Sequence, residues 1–407
     1  MSYIKRDLEN IILDLNEQYP AILITGPRQV GKTTMLQNLM EGTDRTYVTL
    51  DDLNARALAK SDPAMFFQLY KPPILIDEVQ YAPELFSQIK LLIDRSHKAG
   101  DFWLTGSQIF KMMEGVQESL AGRVAVLTLS PLSQNEIYHG TPNIPFSLDF
   151  EVLQKKQKDI KPVTALEMFS RIHTGSMPAI ASGKYKDSNI FYMSYMSTYI
   201  ERDIKEISGR IDSLNFLKFI TSVAARCSQI VNYASIAQDA DINQLTAKRW
   251  LQILETLGIV FFVHPYSNNT LKRTIKAPKL YFYDSGLVAY LTKWTSAETL
   301  ESGAMSGALL ENYVISEIFK SYHNVAKEPF IYYYRDRDMK EIDVIIEVNG
   351  KLHPIEIKKT ATPSSQLTNV FKLIDKTEKR SNGAILCMAE GLSAFNAENY
   401  IVPIVLI

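Results

Sequence analysis

The sequence predicts an α/β fold built in several parts, and three observations carry that expectation. The run PAILITGPRQVGKTTMLQNLM, residues 20–40, reads as a buried strand, a glycine-bearing loop and a helix. Three further apolar runs, TYVTLDD, PPILIDE and GDFWLTGS, each end in polar residues with helical spacing between them, which favours a parallel sheet whose functional residues lie at its C-terminal edge. Past residue 136 the strand signals fade into loops and helices, and they return late in the chain as EIDVIIEVNGKLHPIEIKK, two apolar strands about an Asn-Gly turn.

Composition bounds the reading. A chain of 407 residues with 46% hydrophobic and 22% charged residues is ordinary for a soluble protein of several domains. A net charge of −1 excludes a chain that is basic overall, so any nucleic-acid contact must come from a local patch. Cys227 and Cys387 match no metal or disulfide spacing and are expected to be buried thiols of a cytoplasmic protein. The start, MSYIKRDLENII, lacks the apolar core of an export signal, and no run approaches the roughly eighteen apolar residues of a membrane helix, so no membrane association is expected.

In chain order, residues 4–19 read as a helix leading into the α/β part, which spans 1–135. Residues 136–211, with the proline-bearing HGTPNIPF and the helical NIFYMSYMSTYIERDIKEI, read as a helical lid or linker. Residues 212–295 give helices followed by apolar strands, and residues 300–407 open with the helix GALLENYVISEIFK ahead of the late strand pair.

The stretch Gly26, Pro27, Arg28, Gln29, Val30, Gly31, Lys32, Thr33, Thr34 satisfies G-x-x-x-x-G-K-[ST] between a predicted strand and a predicted helix. Glycines let backbone N–H groups curl around phosphates, and the helix N-terminus adds positive potential. Lys32 would reach the β/γ-phosphates of ATP and the Thr33 hydroxyl would ligate Mg²⁺. Asp77 and Glu78 end the apolar run ILID, 45 residues after Lys32. At such a place an Asp holds the Mg²⁺ and a Glu orients and deprotonates the attacking water, so hydrolysis is expected as well as binding. Thr105 and Ser107, at the end of FWLTGSQ, are short hydroxyls placed to sense the γ-phosphate or that water.

These motifs resemble the AAA+ class of P-loop ATPases. Together with SLAGRVAVLTLSPLSQNE and YIERDI, the set is similar to a prokaryotic family of AAA ATPases that carry a C-terminal domain of unknown function. The resemblance implies an arginine acting on the transferring phosphate, either Arg123 in AGR or Arg202 in YIERDI; either residue is equally compatible with an ordinary ion pair.

The segment from Asn232 to Leu287 has the element order of a winged helix. Between Arg226 and Lys279 it carries seven Lys or Arg against three Asp or Glu. Lys248 and Arg249 fall on the recognition helix, and Lys272, Arg273, Lys276 and Lys279 in or beside the wing, so duplex DNA is one expected partner and another protein is the other. In the late strand pair, side chains alternate faces, so Glu356 and Lys358 point one way and the Asn349-Gly350 turn returns Asp343 beside them. Glu311 on the preceding helix is placed to join. Facing carboxylates favour a cation between them, Mg²⁺ or Mn²⁺, with a nearby lysine serving phosphodiester chemistry. The set Glu311, Asp343, Glu356, Lys358 resembles the PD-(D/E)xK nuclease superfamily, whose restriction-endonuclease-like α/β fold is then implied; Ile342 stands where that signature has proline. The bland reading is an ion-pair cluster.

The expected protein is a Mg²⁺-dependent ATPase with an AAA+ core, helical lid, winged-helix module and nuclease-like C-terminal domain, associated with DNA. The rival is a nucleotide-controlled switch or remodeller whose C-terminal modules bind protein and cut nothing; homo-oligomer formation is compatible with both.

Overall fold

A computed structural model describes residues 3–106, 116, 118–200, 212–267, 276–377 and 379–407. The first sheet is parallel throughout, with strands β1 (Ala21–Thr25), β2 (Thr46–Thr49), β3 (Ile74–Asp77), β4 (Phe102–Thr105) and β5 (Val124–Thr128) in the order β2-β3-β4-β1-β5. Strand β1 is buried along its length because both faces are covered. Ala21 and Leu23 face one hydrophobic cluster, Ile22 and Ile24 the other, as the two-residue period requires. Burying each such leucine or isoleucine contributes roughly 1.5–3 kcal/mol. The parallel arrangement places Thr25, Asp77 and Thr105 on one edge. β4 lies between β1 and β3, so the loop after β1 and the acids after β3 are not on adjacent strands.

Helices Phe150–Asp159, Ala165–Thr174, Pro178–Ala181 and Ser188–Tyr195 follow this sheet. Their starts are set by local chemistry: Asp149 and Asp187 accept backbone N–H bonds at two of them, and Thr164 with Glu167 closes a capping box at a third.

Three helices, Ser213–Ala225, Tyr233–Asp239 and Gln244–Thr256, precede β6 (Val260–Pro265) and β7 (Lys279–Phe282), which pair antiparallel. The long helix Ser306–His323 then leads to β8 (Ile331–Arg335), β9 (Glu341–Val348), β10 (Lys351–Lys358), β11 (Gly383–Cys387), β12 (Ser393–Asn396) and β13 (Asn399–Pro403). Asn349 and Gly350, both with positive φ, make the tight β9–β10 turn that the sequence indicates. The strands form one eight-stranded sheet, β12-β13-β11-β10-β9-β8-β6-β7, because β6 pairs with β8. The segments read from sequence as two separate modules therefore share a sheet.

The segment after β5 fastens the two sheets together. Gln134 N–H donates to the Glu317 Oε2 at 2.6 Å, and its side chain reaches the carbonyl of Ile404 at 3.0 Å. Lys320 Nζ pairs with Glu317 Oε1 at 2.8 Å and donates to Leu132 O and Ser176 Oγ; both ionic side chains are almost wholly buried. Cys227 and Cys387 are buried, and neither forms a disulfide. Among the described residues, no helix is long and apolar enough to cross a membrane.

Candidate functional site

The loop after β1 turns on two glycines. Gly26 has φ of +130°, and a Cβ there would stand 2.2 Å from the Leu129 carbonyl oxygen, so no other residue fits. Gly31, with φ of +91°, is the N-cap of the helix Lys32–Met40. Lys32 is buried and donates to the carbonyls of Gly26 (2.9 Å) and Pro27 (2.7 Å), which holds its ammonium inside the ring of loop backbone.

Thr33 Oγ1 donates to Asp77 Oδ1 at 2.7 Å, across the intervening β4. Thr105, at the tip of β4, also donates its hydroxyl to Asp77 Oδ1, and it accepts the Glu78 N–H at 3.2 Å. The strand between thus supplies the group that fixes both acids. Glu78 has φ of +57°, a left-handed conformation uncommon for this residue, and its carboxylate accepts from the Gln80 side-chain amide.

These groups open onto a cavity of about 640 Å³ lined by Arg28–Thr34, Asp77 and Glu78, by Tyr3 and Ile4, and by Pro178, Ala179, Ser182, Lys184 and Tyr185. The helical segment thus forms the far wall. Sequence reasoning missed Arg6, which is buried and ties the loop to its surroundings: Nη1 bonds Val30 O at 2.8 Å, Nη2 bonds Ser130 O at 2.8 Å, and Nε pairs with Glu136 at 2.9 Å. The donor set suits Mg²⁺ and a nucleotide triphosphate: a hydroxyl and a carboxylate already in register, backbone N–H groups, and one buried ammonium.

Arg123 is not at this site. It precedes β5, where the parallel register with Ala21 puts it at the opposite edge of the sheet, and its guanidinium makes a two-point pair with Asp94 at 2.7 and 3.1 Å. Ser107 and Arg202 lie outside the described residues.

The second candidate site is on β9 and β10. Asp343, Glu356 and Lys358 converge as the strand alternation indicates. Lys358 Nζ lies 3.0 Å from Asp343 Oδ2 and 2.6 Å from Glu356 Oε2. Asp343 Oδ2 also accepts the Ile357 N–H at 2.9 Å, and Glu356 Oε1 accepts the Asp343 N–H at 3.3 Å. Burial, with the Asp343 charge adding to it, pushes the Glu356 carboxyl up to about 8. Glu311 does not join these two. It accepts Tyr281 OH at 2.7 Å and pairs with Lys279 Nζ at 3.0 Å, and Lys279 pairs with Glu341 as well. Burial pushes the Glu311 carboxyl up to about 7, Lys279 opposing and Asp343 reinforcing that shift.

Two expectations are corrected here. Lys279 is 3% exposed, so it makes no phosphate contact beside a wing; it left the solvent because β7 joins the C-terminal sheet. The residues also do not fit a divalent metal, since the inward oxygens of Asp343 and Glu356 are bonded to an ammonium instead. Among the described residues, no group of three or more His, Cys, Asp or Glu is arranged to hold one. Of the proposed nucleic-acid contacts, Lys248 and Arg249 are exposed on the helix Gln244–Thr256 and Lys276 is exposed before β7, while Lys272 and Arg273 lie outside the described residues.

Residues 18–138 match the family described as AAA domain. Residues 166–298 match a domain of unknown function, DUF8612, and residues 306–407 match another, DUF4143. An uncharacterized protein of Mycobacterium tuberculosis is 29% identical over 357 residues, 88% of this chain and 74% of that protein, and an uncharacterized protein of Mycobacterium bovis aligns identically. Among solved structures, a Walker-type ATPase of Pyrococcus abyssi aligns at 14% identity and a TM-score of 0.44, covering 70% of this chain and 94% of that one. The RuvB Holliday junction branch migration motor of Thermotoga maritima aligns at 15% identity and a TM-score of 0.31, covering 63% and 89%. The part of the chain that carries the glycine loop and the Thr33–Asp77 contact is thus similar to the AAA domain of P-loop ATPases.

Proposed function

We propose that the chain binds ATP with Mg²⁺ in the cavity beside β1 and hydrolyses it, and that the nucleotide state governs what its C-terminal modules hold. The observation that carries this reading is the 2.7 Å contact between the Thr33 hydroxyl and the Asp77 carboxylate at the mouth of a cavity floored by Lys32. In it, the loop N–H groups and Lys32 bind the phosphates, Thr33 and Asp77 hold the metal, Thr105 holds Asp77 in place, and Glu78 orients and deprotonates water. Mg²⁺, when bound, would neutralise charge developing on the phosphates. Nucleotide binding is the test: the wild-type chain is expected to bind Mg·ATP, and Lys32→Ala to lose that binding.

For the partner, exposed Lys248, Arg249 and Lys276 favour duplex DNA held by phosphate contacts. The three helices and the β6–β7 pair that carry this face follow the order of a winged helix. Lys248→Ala with Arg249→Ala is expected to weaken DNA binding and to lower the log-log salt slope by about 0.9 per lost contact, measured by fluorescence anisotropy across a salt series. Unchanged affinity at low salt would point to a protein partner. The C-terminal segment is read as a binding module that does not cut, because its facing carboxylates are already paired with lysines.

A further inference from the structure

We propose that the acid pair Glu311 and Glu341 takes its cation from the chain itself: Lys279 is a tethered ammonium that stands between these two carboxylates and closes them to Mg²⁺ and Mn²⁺. Lys279 comes from the strand pair β6–β7, which precedes the helix Ser306–His323 in the chain. It opens β7, at the far edge of the shared sheet from β12, with β8 and β6 between β7 and β9. Its Nζ pairs with Glu311 of the helix Ser306–His323 at 3.0 Å and with Glu341 of β9, so it bridges these two elements.

The fit is built, not incidental. Tyr281, two residues along β7 and so on the same face, donates to the same Glu311 oxygen at 2.7 Å, which leaves that oxygen fully engaged. Lys358 makes the equivalent bridge between Asp343 and Glu356. Four carboxylates thus meet two ammoniums, each lysine between a pair of acids. A surface ion pair would contribute little, but Lys279 is 3% exposed, and an ammonium that deep is retained only against carboxylates that need it. Sequence distance disguises the arrangement, because Lys279 counts as one more basic residue of a positively charged stretch. This inference does not rest on the ATPase reading.

The test is Lys279→Met in the full chain without nucleotide. Methionine keeps the length of the stem and removes the charge, leaving Glu311 and Glu341 facing each other. The wild-type unfolding midpoint is expected to stay unchanged in millimolar Mn²⁺, while that of Lys279→Met rises by several degrees, and a further Glu341→Gln removes the gain. If Lys279→Met folds poorly in metal-free buffer, the same expectation is read as recovery of folded protein on adding Mn²⁺. Absence of any gain or recovery would overturn the proposal. So would Mn²⁺ binding to the wild-type chain that disappears in Glu341→Gln or Glu311→Gln, since the pair would then be open to metal with Lys279 present.

Discussion

Glu78→Gln is expected to bind ATP as tightly as the wild-type chain and to turn it over about 10²–10⁴-fold more slowly, the usual contribution of a positioned general base. Glutamine keeps the shape of the side chain and the contact with Gln80, and the backbone N–H bond from residue 78 to Thr105 does not depend on the side chain. What is lost is the basic oxygen. Binding by titration calorimetry and single-turnover phosphate release separate the two effects. Turnover at the wild-type rate would remove Glu78 from the reaction and leave its left-handed backbone without a catalytic reason.

Lys320→Met carries the largest expected effect on stability. It leaves Glu317 buried without its 2.8 Å partner and strips donors from Leu132 O and Ser176 Oγ, at the junction between the two sheets. Removing one member of a buried pair costs about 3–5 kcal/mol, mostly through the charge left behind. Urea unfolding followed by near-ultraviolet dichroism is expected to show a transition at clearly lower denaturant. Adding Glu317→Gln removes the stranded charge and is expected to recover part of the loss, which a double-mutant cycle measures. A single variant within about 1 kcal/mol of wild type would mean that the pair does not hold the junction.

How much of this was legible in the sequence follows the range of the interactions. The glycine loop, Lys32, Thr33 and the strand-ending Asp77 were legible because the chemistry is local: a strand, a loop and a helix within twenty-odd residues. The convergence of Asp343, Glu356 and Lys358 was legible for the same reason, through strand alternation and one Asn-Gly turn. Strand order was not, since nothing local says that β4 inserts between β1 and β3; hence Thr105 was read as a sensor of phosphate or water and not as the partner of Asp77. Arg123 was proposed from the resemblance alone, and nothing local says at which edge of the sheet it sits. Lys279 was misread because its burial depends on residues far along the chain, Glu311 and Glu341, and on a sheet shared between segments that composition separates. Arg6 gave no signal at all, its three partners being two carbonyls and one distant carboxylate.

The central claim is that the loop from Gly26 to Thr34 is a Mg·ATP site, and calorimetric titration of the full chain with ATP tests it most directly. The wild-type chain is expected to bind one ATP per chain in Mg²⁺ and to bind it more weakly after chelation, because on this account Thr33 and Asp77, 2.7 Å apart, would act on the nucleotide through the metal. Lys32→Ala is expected to lose at least about tenfold in affinity, since it deletes the buried ammonium that on this account would meet the β/γ-phosphates. Equal affinity in Lys32→Ala and wild type, or binding indifferent to Mg²⁺, would contradict the assignment.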